Sequence, residues 1–500
     1  MSFDDITADS LADENQISAT HNERSPEASL DCLDSFVLKG LFEKLMPMDR
    51  LRAEMVSRRW RRIAKNHSWS SYRSLQYAHF SEDDLDNSQK LLDCLLPRCM
   101  QFVQEVNLFG SQVPVSLFVI NEKQTWESVL FRALPSLTNL RHLAFDTRRM
   151  YYRLFGVAER WPTDWLANIK SLHVMNIMNS CINSLCNRLP NLQVLRLDHN
   201  YDFYYPEWTI VPRSLKWVIQ SYRETEYQSA LLQRAIIDDV SIEYLEMACV
   251  LENSNIARFA EYVPTSLCYL TFTIGEDNRN SINGMLCTLI YLRALKITIL
   301  DPCDLSTANQ VLDTIATCMP NLEHLEFLST HKMPLDGEKI IGLSRLARLS
   351  SVSFLFKHKD VAPAICRLFE VLTERGSLKY FVSRSAIPIP ILCRAIKSCR
   401  GLQTLFCWNR PAVGMDIFDT LDEAHAFEAP PDDPEDERIL HLCLGGRNRA
   451  KRNDHPWAKF YTDFEYLPPS KVAQRIRDDI LRDLPSFVYN VVHEMEVHHW

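Results

Sequence analysis

One hydrophobic pattern returns along most of the chain: an apolar residue, two variable positions, an apolar residue, one variable position and another apolar residue. It reads LRHLAF from Leu140, IKSLHV from Ile169, LQVLRL from Leu192, IEYLEM from Ile242 and LCYLTF from Leu267. It continues as LRALKI from Leu292, LEHLEF from Leu322, LSSVSF from Leu349, LKYFVS from Leu378 and LQTLFC from Leu402. A weaker copy, LKWVIQ from Leu215, fills the one wide gap, and VQEVNL from Val103 reads as a first copy. From Leu140 to Leu402 successive copies are about 23 to 30 residues apart, the period of a repeat built from one strand and one helix.

The last apolar pair of each copy, such as Leu195 and Leu197, alternates with polar neighbours and predicts a short strand with one buried face. The remainder of each unit predicts a helix. Val311, Leu312, Ile315, Ala316 and Met319 fall on one helical stripe, and so do Ile365, Leu368, Phe369 and Leu372. A strand and a helix cannot bury their own apolar faces, but stacked copies can, with a parallel curved sheet inside and helices outside. The lead-ins LPNL, at Leu189 to Leu192, and MPNL, at Met319 to Leu322, place a proline where a helix has ended.

Ahead of the repeats the pattern is helical only. In LDSFVLKGLFEKLMPMDRLRA, residues Leu38, Leu41, Phe42 and Leu45 form one stripe, and Asp49 is the expected N-cap of the next helix. MVSRRWRRIA, Met55 to Ala64, reads as a further amphipathic helix. At 100° per residue, Val56, Ile63 and Ala64 lie within about 60° of Trp60. Arg58, Arg61, Arg62 and Lys65 lie opposite, Arg59 is on the flank, and Met55 is an apolar exception on the basic side. The expectation is a helix packed by Val56, Trp60 and Ile63 with arginines as its wet face. About three short helices bury little alone, so this unit is expected to complete its core against a partner.

Residues 100–410 resemble a leucine-rich-repeat horseshoe of the helix-containing, ribonuclease-inhibitor-like kind. The asparagine that often follows the strand is clear only at Asn200. Residues 31–75 resemble an F-box, through the ordered run Leu33, Val37, Leu38, Leu41, Phe42, Leu45, Pro47, Asp49, Leu51, Val56, Arg58, Trp60, Arg61 and Arg62. Two positions depart from that family: Asp34 stands in place of its proline and Ser57 in place of its cysteine. Together the segments look like the F-box/leucine-rich-repeat substrate receptors of SCF ubiquitin ligases. The fold expected is therefore an α/β leucine-rich-repeat solenoid preceded by a small all-α F-box. The resemblance implies that the F-box docks a Skp-type adaptor, and through it a cullin, while the repeats bind a protein target. The adaptor-binding residues it implies are Leu33, Leu38, Leu41, Phe42, Leu45, Val56, Arg58 and Trp60. An F-box-like scaffold acting outside the ligase is the alternative, supported by Asp34.

Composition narrows the remaining classes. Lys plus Arg is 55 against 64 acids, a net −9, whereas a chain built to hold nucleic acid is usually basic. Trp60 also points away from the arginine face, where stacking on bases would need it. A nuclear nucleic-acid binder using the basic runs at 55–64 and 445–454 is the reading from a third class. No leader opens the chain and no apolar run approaches the ~20 residues of a membrane helix, so a cytoplasmic or nuclear protein with reduced thiols is expected. No CxxC pair occurs among the 15 cysteines. His493 and Glu494 begin an HExxH-like run, but His498 is five positions on, about 140° round a helix, so no metal is expected there. No glycine-rich phosphate loop and no nucleophile–base set appears, and neither cofactor nor catalytic residue is assigned.

The remaining boundaries are a disordered acidic tail at 1–30, a linker helix at 76–99 and a C-terminal extension at 411–500. The extension carries acidic and basic loops and capping helices packed through Phe487, Val488, Val491 and Val492. In each strand, residues between and beside the buried pair are expected on the concave face: His142, Asp146, Arg196, Asp198, Trp217, Tyr244, Glu246, Tyr269, Lys296 and Glu326, then Tyr380, Arg384, Phe406 and Trp408. The last four, rich in aromatics and arginine, are the expected target contact.

Overall fold

The computed structural model describes residues 33–76, 88–109, 132–146, 161–175, 179–198, 211–221, 237–250, 265–275, 279–300, 305–329, 335–355, 361–407 and 440–444, with short pieces between 231 and 260, the stretch 458–460 and positions 421, 426 and 475. The acidic tail, Trp408, the two charged loops beyond 410, the terminal helices and the His493–Glu494–His498 run lie outside the described residues. The chain divides into two compact units, Met1–Ser71 and Tyr72–Trp500.

The first unit is helical. Helix α1 runs Ser35–Lys44, and the carboxylate of Asp34 caps it by accepting from the Phe36 amide at 2.7 Å. Helix α2, Pro47–Val56, starts on the proline itself, whose missing N–H is harmless at a first helical position. Met46, not Asp49, is therefore the N-cap; Asp49 sits inside the first turn. Helix α3 is Arg58–Ile63. The continuous helix expected from Met55 to Ala64 is broken at Ser57, which is extended (φ −154°, ψ 164°) and whose Oγ accepts from the Trp60 amide at 3.1 Å. The chain then loosens into a π-turn, Ala64–Ser68. Leu38, Phe42, Ala53, Ile63 and Ala64 form the core, with Leu33, Leu45 and Trp60 packed on it.

The second unit is a single parallel sheet. Among the described residues, fifteen strands stand in sequence order, each hydrogen-bonded to the next. Strands β3 (His142–Asp146) to β13 (Thr404–Cys407) carry the eleven copies from Leu140 to Leu402, and β2 (Glu105–Asn107) carries VQEVNL. The repeat array is longer than expected at both ends. β1 (Ser74–Gln76) precedes residue 100, and β14 (Leu440–Cys443) and β15 (Ala458–Phe460) lie past 410. The helix Ser88–Cys99, expected as a linker, is the connection between β1 and β2. β14 lies on ILHLCL from Ile439 and β1 on YRSLQY from Tyr72, both of which repeat the three-apolar pattern, whereas β15, on WAKFYT from Trp457, lacks its last apolar position.

Register explains the core. β9 (Ala294–Ile299) pairs with β10 (His324–Ser329) so that Leu295 meets Leu325 and Ile297 meets Phe327. All four are fully buried, as are Leu195, Leu270, Phe272 and Val352 in equivalent rungs. The leading apolar residues Leu192, Leu292 and Leu322 are buried beneath them. The helices cover the other side of this layer, with the predicted stripe of Leu305–Cys318 and that of Ala362–Glu374 buried. Gly376, at φ 71°, ends the latter helix in the left-handed conformation that glycine adopts without a Cβ penalty.

A second ladder was not anticipated from sequence. Just before the leading leucine, Asn139, Asn191 and Asn321 donate from Nδ2 to carbonyls of the preceding repeat, those of Gln101, Ala167 and Ile290, at 2.6–2.8 Å. Ser214 and Ser266 do the same from Oγ. These polar rungs satisfy carbonyls in the turn between helix and strand, where no sheet partner reaches. The repeat's recurrent asparagine thus lies before its strand.

Candidate functional site

Two surfaces qualify: the concave side of the sheet and the outer face of the helical unit. The concave side was expected to be open. Instead strands β2 to β8 (Tyr269–Ile274) hold a buried polar and aromatic layer. His142, Arg196, Asp198, Trp217, Tyr244 and Tyr269 are each 5% exposed or less. Register places Trp217, Tyr244 and Tyr269 side by side on β6 (Trp217–Ser221), β7 (Tyr244–Val250) and β8. Their rings stack at 3.8 and 4.1 Å, and Tyr244 donates its hydroxyl to Glu246 at 2.9 Å. Beside them Asp198 Oδ2 accepts from Arg196 Nε at 2.9 Å and lies 2.7 Å from His173 Nε2. The chain itself closes this region, so these residues are packing groups rather than a free recognition surface.

The row continues toward the start of the sheet through the buried Val194 to Ser171, His142, Glu105 and Ser74, one per strand. Burial pushes the Glu105 carboxyl up to about 7, partly opposed by a hydrogen bond from Ser74. Burial, then the nearby charges of Arg141 and Lys170, drives His142 down to about 3. The fold therefore prefers both groups neutral. Between pH 4.5 and about 7 the unfolded chain ionises Glu105 while the fold resists, so this group's contribution is present at low pH and lost as pH rises. Glu105→Gln is expected to match wild type near pH 4 and to exceed its stability by about 1–3 kcal/mol at pH 8. Denaturant melts across pH check this; a gain that does not depend on pH would contradict it.

Of the expected target contacts, Phe406 is buried with Leu328, Leu355, Val382 and Cys443, and Tyr380 packs on that cluster. Phe406 thus serves the concave face as filler. Tyr380 remains half-exposed, and Arg384 is exposed. The half-exposed pair Lys296–Glu326, at 3.5 Å, adds a further charged feature to this face. At the edge where β3 to β6 begin, a polar cleft of 390 Å³ is lined by Asn139, Arg141, Asn168, Lys170 and Gln193 among others. Sequence reading missed it because its residues come from the turn positions of four repeats.

The helical unit offers the clearer surface. Residues Leu38 and Phe42, expected to meet an adaptor, are its core at 0% and 1% exposure. Leu33, Leu45 and Trp60 pack against that core, with the Phe42 and Trp60 rings 5.1 Å apart. Leu41, Val56 and Arg58 are exposed. Val56 was expected to pack inward; the break at Ser57 releases it from the phase of Trp60, and it is 61% exposed. Four more apolar side chains join them in facing solvent: Phe36 at 79%, Val37, Met46 and Met55. On α1, Phe36, Gly40, Val37 and Leu41 span an arc of about 140° opposite Leu38 and Phe42. Met55, the apolar exception on the basic side, belongs to this exposed set.

The arginines resolve differently from one another. Arg59 donates to the Leu33 carbonyl at 2.5 Å and Arg61 to the Glu54 carbonyl at 3.0 Å, so two of the four are tied to backbone. Trp60 faces inward. Arg58, Arg61, Arg62 and Lys65 are exposed, so the basic face is open, but Trp60 does not join it as the stacking aromatic that single-stranded nucleic acid would use. Among the described residues no group of three His, Cys, Asp or Glu could hold a metal ion, and no helix is long and apolar enough to cross a membrane.

Comparison with protein-family models and with curated proteins finds no match. A solved structure of a leucine-rich-repeat protein from Leptospira interrogans is similar over 55% of this chain and 85% of that one, at 12% identity and a TM-score of 0.25.

Proposed function

We propose that the chain is a non-catalytic substrate receptor of an SCF-type cullin ubiquitin ligase. Its helical unit acts as an F-box that docks a Skp-type adaptor, and its ribonuclease-inhibitor-like repeat solenoid holds a protein target. The observation that carries the reading is the exposed apolar set Phe36, Val37, Leu41, Met46, Met55 and Val56 on a unit too small to leave them uncovered without cost. Arg58, exposed beside them in sequence, supplies the polar rim such an interface uses. Tyr380 and Arg384 are the target contacts this reading retains.

Asp34 supports a second reading, an F-box-like scaffold acting outside the ligase. Here its carboxylate caps α1, so the helix begins correctly without the family's proline. The substitution therefore bears on the docking surface and not on the fold.

Co-purification of the full chain with a Skp-type adaptor separates the two. Wild type is expected to retain adaptor at micromolar concentration. Phe36→Ser with Leu41→Ser should lose about 100-fold or more in affinity, since each buried apolar side chain contributes roughly 1.5–3 kcal/mol. Its melting temperature should stay near that of wild type because both side chains face water. Failure of the wild type to bind favours the scaffold.

A further inference from the structure

Two of the cysteines face each other on the convex side. The Sγ atoms of Cys287 and Cys318 are 3.2 Å apart, and both residues carry free thiols. Cys287 is exposed and Cys318 half-exposed. They sit near the ends of adjacent helices, Arg279–Thr288 and Leu305–Cys318, in successive repeats.

The placement is held from below. One helical turn earlier, Thr314 donates to Asn283 Oδ1 at 3.3 Å, and Asn283 Nδ2 donates to Gln310 at 3.2 Å. Asn283 and Cys287 are four apart, as are Thr314 and Cys318, so the polar contact registers the helices and the next turn brings the sulfurs together. Beneath them, β9 and β10 pair rung by rung, which fixes how far the helices can slide. Closing the pair to a bond length of about 2.05 Å needs a movement of roughly 1.2 Å, within reach of side-chain rotation.

We infer that Cys287 and Cys318 form a dithiol modification site, converted by a small-molecule disulfide into an intramolecular disulfide that staples the two repeats. The exposed Cys287 thiolate attacks one sulfur of the reagent, R–S–S–R. The S–S bond breaks, Cys287 becomes a mixed disulfide, and RS⁻ leaves and takes up a proton. Cys318, as thiolate, then attacks Cys287 Sγ, forming the protein disulfide and expelling the second RS⁻. The two protein thiols lose two electrons and two protons, and the reagent gains both. The S–H···S contact that first holds the Cys287 thiol above its ordinary range, with burial adding to it, is the contact the new bond replaces.

Oxidised glutathione is the probe, applied to the full chain, with digestion and mass spectrometry under non-reducing conditions. The expected product is a cross-linked peptide joining Cys287 to Cys318, lighter by two hydrogens than the paired thiols. Cys318→Ser should instead stop at a stable glutathione adduct on Cys287. Serine keeps a surface side chain of similar size at position 318, so this variant remains folded. In the oxidised wild type, amide exchange should slow in both helices. Two unreacted thiols, two separate glutathione adducts, or a bond from Cys287 to another cysteine would each overturn the inference.

Discussion

Arg50→Ala is expected to unfold the N-terminal helical unit. Arg50 is 4% exposed, and its guanidinium donates to three backbone carbonyls, those of Leu45 at 2.8 Å, Ser68 at 2.5 Å and Glu43. Glu43 and Leu45 lie at the C-terminal end of α1, where carbonyls have no intrahelical partner and a cation is favoured. The same group lies 5.5 Å over the Trp69 ring, whose Nε1 donates to the buried Glu54 at 3.0 Å. Removing the guanidinium strands buried carbonyls and leaves a cavity over the face of a tryptophan. The expected loss is about 3–5 kcal/mol, comparable with everything a core of this size supplies. Arg50→Lys should recover only part of it, because an ammonium cannot reach three acceptors in one fork. Two residues on, Arg52 makes an exposed ion pair with Asp49 at 2.8 Å, and Arg52→Ala should change stability by no more than ~1 kcal/mol. Amide exchange of residues 34–71 in the three variants measures this. Equal effects of Arg50→Ala and Arg52→Ala would contradict the assignment.

The second large effect is expected at Trp217. Its ring is fully buried and stacks on Tyr244, which stacks on Tyr269. Trp217→Ala should cost about 3–5 kcal/mol through the lost side chain and the cavity left behind, including ~0.5–1.5 kcal/mol for the stacked pair. Repeats couple mainly to their neighbours. Exchange should therefore rise first in β5 (Val194–Asp198) to β8 and least in β11 (Ser351–Leu355) to β13. Trp217→Phe should cost far less, because Trp217 Nε1 is buried with no acceptor and its removal forfeits no hydrogen bond. Were this row an open recognition platform, Trp217→Ala would leave exchange unchanged.

These two residues also show where the sequence was readable. The repeat architecture was, because each copy must bury a strand face and a helix face, and that double demand writes itself into spacing. Eleven strands fall where the LRHLAF-type pattern sets them. At the ends of the array the signal was present only in part: ILHLCL from Ile439 repeats the pattern beneath β14 and YRSLQY from Tyr72 does so with tyrosines beneath β1, whereas β15 lacks the last apolar position. Burial of the concave face was not readable. Alternation says which residues leave the sheet on its inner side, not what meets them there, so Tyr244 and Arg384 look alike in sequence and differ in exposure. Arg50 and Arg52 present the same difficulty two positions apart. In the helical unit, the phase of Val56 relative to Trp60 holds only for a helix continuous through Ser57. A serine three residues before Trp60 is an N-cap signal that would have split it and placed Val56 outside.

The exposed set on the helical unit gives the proposed function its most direct test. Amide exchange of the full chain should be compared with and without a Skp-type adaptor at saturating concentration. The account predicts slowed exchange concentrated in α1 and the C-terminal turn of α2, around Phe36, Leu41 and Val56, with the repeats from β3 to β13 unchanged. No complex, or protection confined to the repeats, would contradict it.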